Sequence, residues 1–497
     1  MKVRTRVAPS PTGDPHLGTA YVALFNRVFA HQHNGQFVLR IEDTDQERSR
    51  QSSTKAIQDT LRWLELDWDE GPDIGGPFSP YIASERLQIY RSIADKLCET
   101  GMAFPCFCSK ERLADVRAHQ RERKLTPKYD GHCVSLSRQK VSSLKAAGKP
   151  FVIRLLVPND GVCEFHDQLR GKITVPWSQV DMQVLLKSDG FPTYHLAAAV
   201  DDHLMEITHI FRGEEWLSSC PKQQLIYRAL EWQVPVLYHL PLLRNSDRSK
   251  LSKRKQATSI SYYRRSGFLP KTLLNYLATM GWSMPDEREK FTMQEFQKHF
   301  DPTRLSTSGP VFDIDKLKWL NGEYIRELSL AQFKEQLLDW SFGEQRLERI
   351  LQLLQERTEK FDDVFTKMDY LIGDRVEVVA SQFENGTLTR EDCLRILEFT
   401  QRKLSLVEPW IRDEIFKELK QLSVVMNLKF RDFLKPLFIA ISGRSVSLPL
   451  FDSIEILGSD ITMSRLRSAI VSLGGISKKQ LIVFDKDWQS LHSHPIE

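Results

Sequence analysis

The sequence predicts a doubly wound α/β domain, interrupted by an inserted α+β module and followed by an all-α region. Three observations carry this expectation. A short strand, a stiff turn and a helix open the chain over residues 1–30. Further short strands at 36–41, 207–211 and 240–243 run into charged segments, and open parallel sheets bind ligands at such strand ends. From about residue 267 the apolar residues recur at i, i+3 and i+4, the spacing of packed helices.

At 497 residues the chain is long enough for about three or four domains with full cores. Charged residues are 27% and hydrophobic residues 41%, ordinary for a soluble globular protein. The net charge of +4, from 69 basic and 65 acidic residues, permits a nucleic-acid partner without arguing for one. Seven cysteines, an odd number in a large chain, suit a reducing compartment. There is no apolar signal region and no run of about 18 apolar residues, so the expectation is a cytoplasmic protein without a membrane span.

The first strand reads from Met1 to Ala8 and carries Arg4, Thr5 and Arg6. Pro9-Ser10-Pro11-Thr12-Gly13-Asp14-Pro15 makes the turn, and His16-Leu17-Gly18-Thr19 opens a helix through Ala23, Leu24, Val28 and Phe29. A strand feeding a helix N-terminus gathers free N–H groups and the positive dipole end where a phosphate can dock. Gly18, without a Cβ, lets a ligand ring lie against the backbone, and His16 adds a donor. The alternative is an ordinary strand–turn–helix with a surface histidine. The next strand, 36–41, ends in Glu42-Asp43-Thr44-Asp45. Glu42 suits an amino group, whereas Asp43 and Asp45 serve equally as helix caps. Ser84 to Cys98 reads as an amphipathic helix with Ser84 as N-cap and Gly101 as C′ residue.

The texture changes after Gly101. Cys106-Phe107-Cys108 precedes a basic helix from Lys110 to Lys124, then Tyr129-Asp130-Gly131-His132-Cys133 and short strands at 151–157, 162–165 and 172–175. This reads as an inserted module. Three cysteines in two clusters suggest zinc, but a fourth ligand is missing at a comfortable spacing, since Ser135 follows Cys133 by two and His132 adjoins it. Buried free cysteines are the alternative, so a structural zinc ion is doubtful on this spacing.

The doubly wound pattern resumes with 181–187 and Pro192-Thr193-Tyr194-His195-Leu196. Asp201-Asp202-His203 follows, and the strand 207–211 delivers Arg212-Gly213-Glu214-Glu215-Trp216. Arg212 can grip a carboxylate with two hydrogen bonds, and Tyr194 offers a hydroxyl. Arg6, Glu42, Tyr194 and Arg212 all fall at predicted strand ends. Two cations, one anion and a hydroxyl match a small zwitterion with an additional carboxylate; surface ion pairs are the alternative. A last short strand, 240–243, runs into residues 244–255, where six cations face one anion. Such a loop is either a solvated basic tract or a nucleic-acid contact.

Lys250-Leu251-Ser252-Lys253-Arg254 and His16-Leu17-Gly18-Thr19 occur in one chain. The pair resembles the two signature sequences of class I aminoacyl-tRNA synthetases. Arg6 to Gly13, Arg40 to Asp45, Tyr194-His195-Leu196 and Arg212 to Trp216 extend the likeness, over about residues 1–330, to the bacterial-type glutamyl-tRNA synthetases. The resemblance implies a Rossmann-type catalytic domain (1–85 with 190–245) and an inserted acceptor-stem-binding module (86–189). It further implies a stem-contact region holding the lysine loop (246–329) and two helical anticodon-binding domains (330–400 and 401–497). It implies a cytoplasmic monomer that uses ATP with Mg²⁺ to convert L-glutamate to glutamyl-adenylate, normally with tRNA bound, and passes the glutamyl group to the 3′ end of tRNA(Glu). By family match Arg6, Ala8, Ser10, Glu42, Tyr194 and Arg212 surround glutamate. His16, Gly18, Glu215 and Lys250, Leu251, Ser252, Lys253 and Arg254 contact ATP, with His16, Gly18 and Lys253 sharing the developing charge. A variant that charges the glutamine tRNA, or a catalytically silent RNA-binding paralogue, is the rival. Two departures stand out: Ala198 replaces an asparagine usual in relatives, and Ser135 stands where the zinc-bearing relatives have histidine.

In the C-terminal third, Pro270 suits a helix start and residues 315–320 form a helix ended near Asn321-Gly322. Stripes at Leu347, Ile350, Leu351 and Leu354, at Ile411, Ile415, Leu419 and Leu422, and at Leu466, Ile470 and Leu473 are helix cores. Arg357 falls where relatives place an arginine that probes an anticodon base; a solvated helix arginine is the alternative.

Overall fold

Four short parallel strands and the helices between them carry the part of the fold that matters for function. The structure, a computed structural model, describes residues 2–45, 51–251, 257–384 and 388–492. They form two compact units: Met1–Leu251 with Pro270–Leu320, and Ser252–Leu269 with Asn321–Glu497. Residues 246–329 thus divide between the two.

In the first unit β1 (Arg4–Val7) leads through α1 (Leu17–Gln32) to β2 (Gln36–Leu39), which pairs parallel with β1 in the register Arg4↔Gln36 to Val7↔Leu39. The ladder outlasts both strands: Arg40 N–H donates to Val7 C=O at 3.0 Å and Glu42 N–H to Pro9 C=O at 3.0 Å. Proline cannot donate but can still accept, so the turn begins without losing register, and Glu42 comes level with it. Helices α2 (Gln51–Trp63) and α3 (Leu87–Glu99) follow. A 3₁₀ turn at Ala83–Arg86 precedes α3, so Ser84 is not its N-cap; its N–H instead meets Asp43 Oδ1 at 2.8 Å. Gly101 adopts φ +76° just past the helix, as a C′ residue does.

The inserted module contains β3 (Ala103–Cys106), α4 (Lys110–Glu122), α5 (Arg138–Ala146), β4 (Val152–Leu155), β5 (Val162–Asp167), β6 (Gly171–Pro176) and β7 (Val184–Leu186). Strands β3, β4 and β7 make an antiparallel sheet, and β5 and β6 a hairpin. Residues 181–187, expected to resume the doubly wound sheet, therefore belong to the module's own sheet. A three-residue apolar strand fits either partner locally, and long-range pairing decides. The module does not stand apart, because Ile153, Leu155, Phe165 and Leu185 share one core with Leu196, Val200, Ile210 and Ile226.

The parallel pattern returns with α6 (Tyr194–Leu204), β8 (His209–Gly213), α7 (Cys220–Ala229) and β9 (Val236–Leu240). β8 and β9 pair parallel, and Thr208 N–H donates to Arg4 C=O at 2.9 Å, tying this pair to β1. Two expectations shift here. Tyr194 opens a helix rather than ending a strand, because Thr193 C=O already accepts the first helical N–H groups. The last strand lies at 236–240, not 240–243, since Pro241 lacks the donor a ladder needs. Between α7 and the second unit's helices, α8 (Ile260–Arg265) lies in the second unit, while α9 (Pro270–Ala278) and α10 (Met293–His299) return to the first. α11 (Ile314–Arg326) continues through Asn321-Gly322, which were expected to end it; buried Leu320 and Tyr324 reward continuation more than one glycine costs.

Beyond residue 330 the described chain is helical: α12 (Leu330–Phe342), α13 (Glu344–Gln355), α14 (Phe361–Ile372), α15 (Arg390–Leu404), α16 (Arg412–Val425), α17 (Phe430–Ser442), α18 (Leu450–Ser472) and α19 (Lys478–His492), with one 3₁₀ turn at Ala380–Phe383. Ile350, Leu354, Ile415, Leu419, Leu422 and Leu466 are buried as the stripes require, whereas Leu351 and Ile411 are exposed. Buried Arg465 donates to the carbonyls of Tyr370 (2.5 Å), Gly373 (2.6 Å) and Ile441, binding the C-terminal ends of α14 and α17. Gly458 breaks α18 at φ 74°; the Arg265 guanidinium fills the space a side chain would take and donates to Leu457 C=O at 2.7 Å. No helix among the described residues is long and apolar enough to cross a membrane.

Candidate active site

A cavity of about 480 Å³ opens where β1, β2, β8 and β9 deliver their carboxyl ends, in the crevice where open α/β sheets bind ligands. Every described residue expected to meet the amino acid lines it: Arg6, Ala8, Ser10, Glu42, Tyr194 and Arg212. So do His16, Gly18, Glu215, Lys250 and Leu251. Ser252, Lys253 and Arg254 lie outside the described residues. Arg357 is in the second unit, exposed, with Nη1 donating to Leu353 C=O at 2.8 Å.

The opening of α1 departs from expectation. His16 is the N-cap: its Nδ1 accepts the Gly18 N–H at 2.9 Å, and its carbonyl accepts from Thr19 at 2.8 Å and Ala20 at 3.3 Å. These first-turn donors are therefore occupied rather than free. With Nδ1 accepting, the ring hydrogen resides on Nε2, so the imidazole is the N–H donor that the helix start offers. Gly18 leaves space for that ring, since a Cβ would sit 3.3 Å from Nδ1. Gly213 works similarly on the far wall, where a Cβ would overlap the carboxylate of Glu215. The lysine loop begins as a small hairpin. Arg244 bridges Lys250, and Leu251 N–H donates to Leu243 C=O at 3.0 Å, which puts Leu251 in the cavity wall.

Behind the wall lies a buried charge cluster that strand-end reasoning missed. Asp202, on α6, accepts from Arg6 Nε at 2.9 Å and Nη2 at 3.2 Å, and from Arg40 Nη1 at 2.6 Å. Arg40 Nη2 also reaches Glu42 Oε1 at 3.4 Å. Burial alone would raise the Asp202 carboxyl, but Arg6 and Arg40 override it and hold it at about 2. Glu42 goes the other way: burial, with Asp202 and Asp201 adding to it, outweighs Arg40 and Arg6 and lifts its carboxyl to about 7. Its neighbour Asp201 binds Arg86 Nε at 2.9 Å and Tyr90 Oη at 2.6 Å, anchoring α6 to α3. Two adjacent acids in an otherwise apolar helix were the available signal: such charges are buried only when paired.

Arg212 is equally enclosed. Nη1 donates to Tyr194 Oη at 3.2 Å and Gln223 Oε1 at 2.9 Å, Nη2 reaches Cys220 Sγ at 3.0 Å, and Nε donates to His239 Nε2 at 2.9 Å. The Trp216 ring stacks on Tyr194 with centroids 3.9 Å apart. The wall thus presents two guanidiniums, a carboxyl group and a phenol to one space. Ala198 is fully buried in α6 and does not line the cavity.

In the inserted module the Cys106, Cys108 and Cys133 sulfurs all lie within 4.8 Å of one another, Cys108 and Cys133 at 3.6 Å. Tyr129 Oη stands 3.4 Å from Cys106 Sγ and 3.6 Å from Cys108 Sγ. A tyrosine four residues before Cys133 is thus the nearby fourth oxygen or sulfur atom that cysteine and histidine spacing overlooked.

Residues 2–319 match the family model for the class I tRNA synthetase (E and Q) catalytic domain, and residues 330–470 match an anticodon binding domain. The glutamate–tRNA ligase of Psychrobacter sp. (strain PRwf-1) is 52% identical over 484 residues, covering 97% of this chain and 96% of that relative. That of Cellvibrio japonicus (strain Ueda107) is 52% identical over 480 residues, 96% and 95% of the two chains. Among solved structures, a glutamate tRNA ligase from Elizabethkingia meningosepticum in complex with its amino acid is 31% identical with a TM-score of 0.65, covering 95% of this chain and 100% of that one.

Proposed function

The chain belongs to the glutamate–tRNA ligases among the class I tRNA synthetases, and on that premise we propose that it activates L-glutamate with ATP and transfers it to the 3′ end of tRNA(Glu). The observation that carries the reading is that the expected glutamate and ATP residues among the described ones share one cavity wall. The side-chain carboxylate of glutamate goes to Arg212, with Tyr194 adding a hydroxyl, and the ammonium goes to Glu42. Arg6, Ala8 and Ser10 complete the enclosure. The α-carboxylate oxygen then attacks the α-phosphorus of ATP, a P–O bond forms, and pyrophosphate leaves. In the second step the terminal ribose hydroxyl attacks the acyl carbon, losing its proton as AMP departs. Such chemistry depends on positioning and charge neutralisation. Lys250 and Lys253 supply positive charge, His16 Nε2–H a hydrogen-bond donor, Glu215 and the Gly18 backbone bound the nucleotide, and Mg²⁺ accompanies ATP.

The test is ATP–pyrophosphate exchange that requires both L-glutamate and tRNA. Lys253→Ala should slow adenylate formation by about two orders of magnitude or more, as loss of a charge-stabilising donor does, while tRNA binding holds. Unchanged exchange would remove that lysine from the mechanism.

Glu42 makes the binding pH-dependent. Its carboxyl is lifted to about 7, above the ordinary value of 4.5, because burial outweighs its arginine neighbours. Below that pH the group is neutral and gives the ammonium no counter-charge. The KM for glutamate should therefore rise as pH falls below neutrality, up to about tenfold per unit. Glu42→Gln should show a high, pH-flat KM; a wild-type KM that is level from about pH 5.5 to 8 would reject the role.

Cys106, Cys108 and Cys133, with Tyr129 as fourth donor, would hold a structural zinc ion: tetrahedral bonds of about 2.3 Å place sulfurs about 3.8 Å apart, near the Cys108–Cys133 separation. Such an ion would brace β3 against the loop that carries Tyr129 and Cys133. The seven cysteines form no disulfide, in keeping with a reducing, cytoplasmic location.

A further inference from the structure

We propose that Asp167 and His239 are positioning residues for Arg212, set by the inserted module, and that they govern how well the site distinguishes a carboxylate from a carboxamide. The inference rests on the reading of Arg212 as the cation that takes the side-chain carboxylate of glutamate.

Asp167 ends β5 at the tip of the β5–β6 hairpin, and both it and the His239 side chain are fully buried. Its Oδ1 accepts the Leu169 and Arg170 N–H groups at 3.0 and 2.9 Å. Its Oδ2 accepts the His239 backbone N–H at 3.0 Å and lies 2.8 Å from His239 Nδ1. A carboxylate accepts only, so Nδ1 carries the hydrogen and Nε2 keeps its lone pair. That lone pair receives Arg212 Nε–H at 2.9 Å. Burial, with Arg212 and Arg170 nearby, outweighs Asp167 and holds the imidazole neutral. An imidazolium there would have no lone pair and would repel the guanidinium.

The Nε–H bond fixes the plane of the guanidinium. Rotation about the last side-chain bonds would carry Nη1 away from Tyr194 and Gln223, and presenting the remaining Nη2–H and the charge to a carboxylate needs that plane held. The hairpin tip also clamps the surrounding backbone. Gln168 N–H donates to Leu237 C=O at 2.9 Å, Arg170 Nη1 donates to His239 C=O, and Arg170 Nη2 donates to Glu214 Oε2 at 2.7 Å. Glu214 Oε1 in turn accepts the Leu242 N–H at 3.1 Å. The tip therefore holds β9 and the segment after β8 together, on either side of Arg212.

Two substitutions separate positioning from packing. In His239→Asn the side-chain nitrogen falls near Nδ1 and can keep the bond to Asp167, but nothing reaches Arg212. In His239→Gln the side-chain oxygen falls near Nε2 and can accept from Arg212. In ATP–pyrophosphate exchange with tRNA present, H239N should raise the KM for glutamate about tenfold or more while leaving the KM for ATP within about twofold. Its ratio of kcat/KM for glutamate over glutamine should fall at least about tenfold, and H239Q should recover most of both. An H239N enzyme with wild-type glutamate KM and selectivity overturns the proposal, as does equal loss toward glutamate and ATP in both variants. Should H239N not fold, H239Q decides: glutamate KM near wild type supports the relay, and a selective tenfold rise overturns it. Absence of exchange in the wild-type enzyme would instead overturn the functional reading itself.

Discussion

Arg212→Met should abolish glutamate activation while leaving the protein folded. The guanidinium is buried, and each of its nitrogens already meets a neutral partner: Tyr194, Gln223, Cys220 or His239. Burial disfavours its charge, but Tyr194, Cys220 and Asp202 hold it firmly protonated. Removing a buried charge partner typically costs about 2–5 kcal/mol of binding, or roughly 30- to several-thousand-fold. The loss should appear in kcat/KM for glutamate by pyrophosphate exchange. Because the partners left behind are uncharged, the fold is left with unmatched acceptors at about 1–3 kcal/mol each and no unpaired buried charge. Circular dichroism should therefore remain native. Residual exchange within about threefold of wild type would show that another group takes the carboxylate.

Asp202→Ala should act on the fold as well as the site. Here the removed group is the counter-charge of two buried cations, Arg6 at 2.9 Å and Arg40 at 2.6 Å. Leaving buried charges uncompensated costs about 3–5 kcal/mol, a large share of the stability of any domain. The native carboxyl, held at about 2 against an ordinary 3.8, contributes fully at neutral pH, and its contribution drains away as pH falls between those values. Urea unfolding of the intact protein, followed by tryptophan fluorescence, should show an early transition for the variant. Glutamate binding should fail too, since Arg6 loses the partner that aims it. Asp202→Asn keeps the shape and one acceptor and should fall between. A wild-type midpoint for Asp202→Ala would mean that water replaces the carboxylate in a site the structure shows closed.

What sequence reasoning reached and missed follows from the range of each interaction. The strand–turn–helix at 1–30 and the helical stripes beyond 330 are encoded within windows of a few residues, and the elements form as read, although His16 occupies the first-turn donors and Leu351 and Ile411 stay exposed. Two of the boundary errors share one cause: residues 181–187 and Gly322 are locally ambiguous, and packing partners outside the local window decide them. Tyr194 shows the same point at the site. It lines the cavity as expected, although a helix start rather than a strand end brings it there.

By itself the sequence determined the kind of chemistry: which residues carry charge, where the glycines permit close approach, and which motifs occur together. Only the tertiary structure decided how those charges are balanced. Asp202 meets Arg6 across 196 positions, and His239 meets Asp167 across 72. No local pattern specifies such pairs, because the free energy that selects them is the cost of leaving a buried charge or donor unmatched, and that cost exists only once the chain has closed around it.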